Sequence, residues 1–350
     1  MPTSHVQKDV SSRLLRLPAE VRLQIYGHLF TSTRLAHGQR MTSRINSKRM
    51  KPAPNSLAIL RSCRLISREI GDSWLGQVMF AFEEVRDLLD KLSSVPRTVV
   101  EKIRRVRVGS HPLMLSPPDY EDDVYYRLAW ALKLLPGLNL DTLTVINSDC
   151  PEVSYDTLSG LVKHGDGWRE LHYITGNSTM LGFPRMDIFL ADPYWRKPQP
   201  STWSRDLAQR DGVDAGGCVK IYRSTQSNIP CSVINPKTRE IFEQKPPSRE
   251  NLETFGVDKD AQLMRPDEVG KGLLVTVRRG KNVNTVEDVS VPLHEDDIRQ
   301  WSGDMSWEEI KEACRWDSDS DDDFGFPEEK EKVESDSYND ADEYTIITLK

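Results

Sequence analysis

Apolar residues recur along this chain first at helical and then at strand spacing. In the stretch Leu14-Leu15-Arg16-Leu17-Pro18-Ala19-Glu20-Val21-Arg22-Leu23-Gln24-Ile25-Tyr26-Gly27-His28-Leu29-Phe30, a period of 3.6 residues places Val21, Ile25 and Leu29 on one stripe. Leu23, Tyr26 and Phe30 fall on a second stripe, with Arg22 wedged between the two. Pro18 suits the first helical turn, because the amide it lacks would have no intrahelical partner there. Glu20, in the same turn, complements the helix dipole. Two apolar faces on one short helix exceed what docking on a single core requires. Either both are buried within the fold, or one waits for a partner.

A second helix is expected from Ser56 as its cap. Ile59, Leu60, Cys63, Ile66, Ile70 and Trp74 line its narrow apolar face, and Arg61, Arg64 and Arg68 form a basic ridge beside it. Gly71 is expected to loosen or divide this helix. Residues 83–92 carry a third amphipathic pattern, with Val85, Leu88, Leu89 and Leu92 inward. The spacing then changes. Ile103-x-x-Val106-x-Val108, Leu140-x-x-Leu143-x-Val145 and Trp168-x-x-Leu171-x-Tyr173 share bulky residues at the first, fourth and sixth positions. Helical patterns lie between the copies at 125–135 (Leu128, Leu132, Leu135) and 155–163 (Leu158, Leu161, Val162). This alternation predicts parallel strands joined by helices. The strand pattern resembles the core of a leucine-rich repeat, and an ordinary small α/β layer is the alternative. Further on, 201–210 reads as a helix, and 219–222 and 273–277 read as strands, the second leading into an Arg279-Gly280-Lys281 turn. Residues 230–266 are proline-rich and weakly periodic, which predicts loops and short strands. Ser306-Trp307-Glu308-Glu309 is a capping box opening a helix that buries Trp307, Ile310 and Cys314.

The N-terminal pattern resembles a known family. Leu17-Pro18-x-Glu20-Val21-x-x-x-Ile25-Tyr26-x-x-Leu29 is similar to the opening helix of an F-box, in the spelling common in fungal families. Leu57-x-x-Leu60-Arg61-x-Cys63-Arg64-x-Ile66-x-x-Glu69 is similar to the second half of that domain. A weaker likeness to the same families lies around Pro200-Ser201-Thr202-Trp203 and Lys220-Ile221-Tyr222-Arg223-Ser224, with no chemistry attached to it. The resulting fold class is α+β or α/β: an F-box-like helical unit, then an irregular β/α, leucine-rich-repeat-like array, then a disordered acidic tail. The expected divisions are a disordered 1–13, the helical domain 14–80 with an inserted basic loop at 31–55, the repeat-like region 81–178, a mixed α/β region 179–316 packed on it, and the tail 317–350. The resemblance implies that Leu17, Pro18, Glu20, Ile25, Tyr26 and Leu29 dock on a Skp-type adaptor within a cullin ubiquitin ligase, while the downstream region presents an unidentified protein substrate. The insertion at 31–55 is longer than usual for the family. A non-ligase scaffold that uses these helices structurally is the runner-up reading.

Charge sharpens this division. The net charge of −7 conceals a split: residues 1–115 hold twenty Lys and Arg against nine Asp and Glu, whereas 317–343 hold thirteen carboxylates against two lysines. An acidic tail on a mildly basic body follows. Ser318 and Ser320 in that tail each have an acidic residue three positions on, a context acidophilic kinases favour. Five widely spaced cysteines predict reduced thiols with no zinc-ligand spacing. No secretory leader is expected from the polar N-terminus, and no stretch approaches the ~20 apolar residues of a membrane span. A cytoplasmic or nuclear location is therefore expected, without a membrane partner.

Motifs that carry chemistry are sparse. There is no nucleophile elbow, zinc-protease motif, dinucleotide fingerprint or P-loop. His294-Glu295-Asp296-Asp297 could hold a divalent cation loosely, but an acidic cap on a following helix explains it better. No enzyme activity, catalytic residue, cofactor or metal is expected. Nucleic-acid binding through Arg104, Arg105, Arg107, the basic loop and the ridge is a lesser alternative, disfavoured because no aromatic-interleaved basic motif is present.

Overall fold

In the computed structural model the three copies of the bulky pattern are neighbouring parallel strands in one register. Val106 lies opposite Leu143 and Leu143 opposite Leu171. These three, with Ile103, Val108, Leu140, Val145, Trp168 and Tyr173, are all buried. Alternation along a strand sends the fourth and sixth positions of each copy to one face, and burying each large side chain stabilises the fold by ~1.5–3 kcal/mol. The structure describes residues 12–37, 39–41, 47–49, 57–118, 120, 122–146, 151–184, 194–196, 201–229, 232–243, 265–287 and 294–314. The expected disordered tail at 317–350 lies outside them, as do most of 1–13 and of 230–266.

Eight strands form the sheet: β1 (Arg34–His37), β2 (Met79–Phe82), β3 (Arg105–Gly109), β4 (Leu140–Ile146), β5 (Trp168–Thr175), β6 (Cys218–Ser227), β7 (Arg239–Ile241) and β8 (Lys271–Arg278). Their spatial order is β1-β2-β3-β4-β5-β8-β6-β7. The first five run parallel, and β8, β6 and β7 extend the sheet antiparallel. The described helices are α1 (Ala19–Thr31), α2 (Arg64–Ile70), α3 (Val85–Leu92), α4 (Arg97–Val100), α5 (Leu128–Ala131), α6 (Pro151–His164), α7 (Ser201–Asp211), α8 (Pro266–Val269), α9 (Arg299–Ser302) and α10 (Trp307–Ala313). The fold is thus mixed α/β with a mostly parallel sheet. Residues of α3, α5, α6, α7 and α10 share one core with the inward strand face. The expected capping box at Ser306 and Glu309 closes as read, with the Ser306 amide donating to Glu309 Oε2 at 2.7 Å. No described helix is long and apolar enough to cross a membrane.

Several expectations need correction. Arg34–His37, read as part of an exposed loop, is the edge strand β1, paired residue for residue with Met79–Phe82. A partner 45 residues away leaves no local trace in so short a segment. As a result β2 crosses the expected boundary at residue 80, and the N-terminal unit contributes two strands to the common sheet. The helix expected after Ser56 is three pieces: 3-10 turns at Ala58–Arg61 and Ser73–Gly76 flank α2. Gly71 divides them at φ +50°, a left-handed backbone that side-chain-bearing residues rarely adopt. The helix expected over 125–135 starts only at Leu128, because Val124–Tyr126 pairs with Leu113–Leu115.

A buried charge cluster fastens the segment after β8 to the sheet. Arg279 donates to Asp166 Oδ1 at 2.8 Å and to both Asp211 oxygens at 2.6 and 2.9 Å. Arg210 also pairs with Asp166, and Lys133 Nζ stands 3.4 Å from Asp166 and 3.0 Å from Glu287 Oε1. Backbone bonds run alongside: Gly167 donates to Thr285, and Gly137 to Glu287. Burial alone would raise the Asp166 carboxyl, but Arg210, Arg279 and Lys133 together hold it below the usual carboxylate range. Glu287 differs. Burial pushes it up to about 7, and the Lys133 ammonium, 3.0 Å from its Oε1, offsets that only in part.

Two outcomes follow. Leu143→Asp would put an unpaired carboxylate, costing several kcal/mol, in the middle of the in-register core; circular dichroism under urea should show loss of cooperative unfolding, and a cooperative, soluble variant would contradict the register. Glu287 takes up a proton on folding wherever the pH lies between its ordinary value of 4.5 and about 7. Its contribution is therefore fully present below that window and lost as pH rises through it, on the order of 3 kcal/mol. Urea titrations at pH 5 and pH 8 should show this decline in the wild type and a much flatter response in Glu287→Gln.

Candidate docking surface

Pro18 precedes α1 as its N-cap residue, and its carbonyl accepts the first helical bond, from Arg22 N at 3.1 Å. Residues 22, 26 and 30 follow one another at one-turn spacing, and all three are buried. Tyr26 and Phe30 pack in a small core with Ile66, Ile70 and Val78. Arg22 cannot be buried unpaired. Its Nε donates to Glu69 Oε2 at 3.0 Å, its Nη2 to Glu69 Oε1, and its Nη1 to the Leu17 carbonyl. A longer bond of 3.4 Å reaches the Leu15 carbonyl. The Tyr26 hydroxyl donates to Glu69 Oε2, also at 3.4 Å. Hydrogen bonding to Arg22 holds the Glu69 carboxyl below its ordinary range and raises the guanidinium in turn. Arg22 and Glu69 thus join the two separated halves of the N-terminal sequence motif.

The other face of α1 is open. Val21 and Ile25 are each 39 % exposed and Leu29 is 37 % exposed, with Leu17 alongside at 36 %. Pro18 and Glu20 are exposed as well. Of the six residues expected to dock, five therefore lie at the surface, and Tyr26 does not: it is 2 % exposed. It sits on the side of the helix turned to α2, one turn from both Arg22 and Phe30. Leu23, expected to share that buried stripe, is instead 49 % exposed. Sequence reading missed the part played by Arg22. An arginine one turn before a buried tyrosine, with a glutamate on the next helix, was the available signal. On α2, Ile66 and Ile70 face inward, and Arg61, Arg64, Leu65 and Arg68 are exposed, so the basic ridge lies at the surface.

The other candidate sites resolve differently. Among the described residues no group of three or more His, Cys, Asp or Glu could hold a metal ion. Asp297, from the acidic run after His294, is buried against Arg299 at 2.7 Å and accepts the Arg299 amide at the start of α9. His294 stacks on Trp130 with ring centroids 5.0 Å apart and lies 4.8 Å from His164. Burial, and then the neighbouring His294, push the His164 imidazole below its ordinary value. Arg105 and Arg107 belong to β3, on the strand face away from Val106 and Val108, and Arg107 is buried.

Comparison of the chain with protein-family models, with curated proteins and with solved structures finds no match.

The two faces of α1 separate stability from surface chemistry. Tyr26→Ala should cost about 2–4 kcal/mol, as truncating a buried large side chain does, and lower the thermal midpoint. Ile25→Asp should leave that midpoint nearly unchanged, because surface changes usually stay within ~0.5 kcal/mol. Thermal melts of both variants check this assignment, and a destabilised Ile25→Asp would contradict it.

Proposed function

We propose that this protein is a protein-interaction adaptor, an F-box-like substrate receptor whose α1 docks on a Skp-type adaptor of a cullin ubiquitin ligase. The observation that carries this reading is the stripe of Val21, Ile25 and Leu29, exposed on a helix whose opposite face is anchored by Arg22, Tyr26 and Phe30. Among the described residues the core that holds α1 takes Tyr26 and Phe30 and leaves this stripe outside it. Pro18, Glu20 and Leu17 extend the surface towards the start of the helix, as the resemblance implies. Tyr26 acts from behind, fixing the helix rather than touching a partner.

The rest of the chain is the presenting domain. Its leucine-rich-repeat-like reading draws support from the shared strand pattern in β3, β4 and β5, and the antiparallel extension through β8 is where it departs from a plain array. Such a receptor makes and breaks no bonds. It raises the local concentration of a captured protein near the ligase, in the cytoplasm or the nucleus.

Apolar anchors at a small helical interface commonly cost ~2 kcal/mol or more when removed. Ile25→Asp should therefore weaken capture of a purified Skp-type adaptor at least about tenfold while the fold stays intact. Pull-down with wild type and variant, each checked by circular dichroism, decides the matter. Equal capture by both, or none by well-folded wild type, would leave the non-ligase scaffold.

A further inference from the structure

The sheet face opposite the main core carries a second candidate recognition surface. Strand order places Glu170, Arg278 and Cys218 side by side in one row across β5, β8 and β6, and His172, Thr276 and Lys220 in the next. An open groove of about 360 Å³ lies over them. Its floor includes Tyr222 and Leu274, and the Arg239 guanidinium sits 4.5 Å above the Tyr222 ring. Among the described lining residues Glu170 is the one carboxylate, and it is engaged by His172 Nε2 at 2.8 Å and by Arg278 at 3.3 Å. Lys220 is exposed and makes no ion pair among the described residues. The groove thus offers cations over an aromatic and aliphatic floor, with a single carboxylate to offset them.

The chain itself holds the complementary charge. Residues 317–343 bring thirteen carboxylates against two lysines, with Phe324 and Phe326 among them. They follow Cys314, where the described chain ends. At ~3.3 Å per extended residue, they can reach either face of the sheet, and tethering gives them an effective concentration of order millimolar. The exposed ridge of Arg61, Arg64 and Arg68 is a weaker rival: it projects from a convex helix, where solvent screens charge and no floor receives a ring. We propose that the groove is an acidic-peptide site and that segment 317–343 of the same chain occupies it. Carboxylates meet Lys220, Arg239 and Arg278, and the phenylalanines lie towards the partly exposed Tyr222. A partner with an acidic segment must then displace the chain's own. The assignment is independent of adaptor docking on α1.

Cys218 at the rim reports occupancy in the intact protein. Its alkylation by a neutral maleimide, mapped by mass spectrometry with the half-exposed Cys63 as internal standard, should be slow in ~10 mM salt. It should quicken about tenfold in ~1 M salt, where the screening length falls from ~30 to ~3 Å. Lys220→Glu should be fast already at low salt. So should a chain with Asp319, Asp321, Asp322 and Asp323 changed to Asn, a set that leaves the groove untouched. Unchanged rates across salt and both variants would overturn the proposal. Protection by added polyglutamate in wild type, with no effect of the Asn set, would also overturn it and assign the groove to a partner's peptide. No adaptor enters the assay, so its failure and that of the docking reading are distinguishable.

Discussion

The Arg22 guanidinium, held by the Glu69 carboxylate and the Leu17 carbonyl, decides which side of α1 turns inward. A buried cation tolerates few alternatives, because leaving it unpaired costs more than any single apolar contact returns. Once Arg22 is seated, Tyr26 and Phe30 must follow it into the small core, and Val21, Ile25 and Leu29 must face out. The constraint propagates along the chain. The end of α1 leads through Thr33, whose carbonyl accepts the Met79 amide at 3.1 Å, into β1 beside β2. Phe80 of β2 packs against both the small core and the main one. The anchored helix is therefore continuous with the sheet, and the surface it presents is held by the whole fold.

The sheet has two unlike faces. One is closed by helices over a continuous apolar core. The other carries Arg107, Thr144, His172, Thr276 and Lys220 across neighbouring strands, beside an apolar patch of Ile174, Val233, Ile234 and Leu274. At the starts of β4 and β5, Asp166, Arg210, Arg279 and Asp211 are mutually satisfied, so the charges can be buried. Gly167, at φ +85°, makes the turn that brings Asp166 beside them. Glu287 is the strained member of that group, its burial offset only in part by Lys133.

What was legible in the sequence was what repeats or is local. The bulky positions of β3, β4 and β5 announced both the strands and their common core, since Val106, Leu143 and Leu171 occupy the same place in each copy. The capping box at Ser306 and the division at Gly71 are decided within a few residues. The pairing of β1 with β2 and the meeting of Asp166 with Arg279 were not legible, because their partners lie tens to more than a hundred residues apart. A charged side chain in sequence reads as solvated until its counter-ion is known. The same reason hid Arg22: its position between two apolar stripes marked a border, and only Glu69 shows that it belongs inside. Without that one contact Tyr26 reads as a docking residue, whereas the fold buries it.

Helix α1 is anchored along residues 22, 26 and 30 and open along 21, 25 and 29. Hydroxyl-radical footprinting of the intact protein tests it side chain by side chain. Tyrosine reacts intrinsically faster than isoleucine or leucine, so exposure must reverse the chemical order. Ile25 and Leu29 should oxidise readily, with Tyr26 protected until the protein unfolds. Rapid oxidation of Tyr26 in the folded chain, with Ile25 and Leu29 shielded, would contradict it.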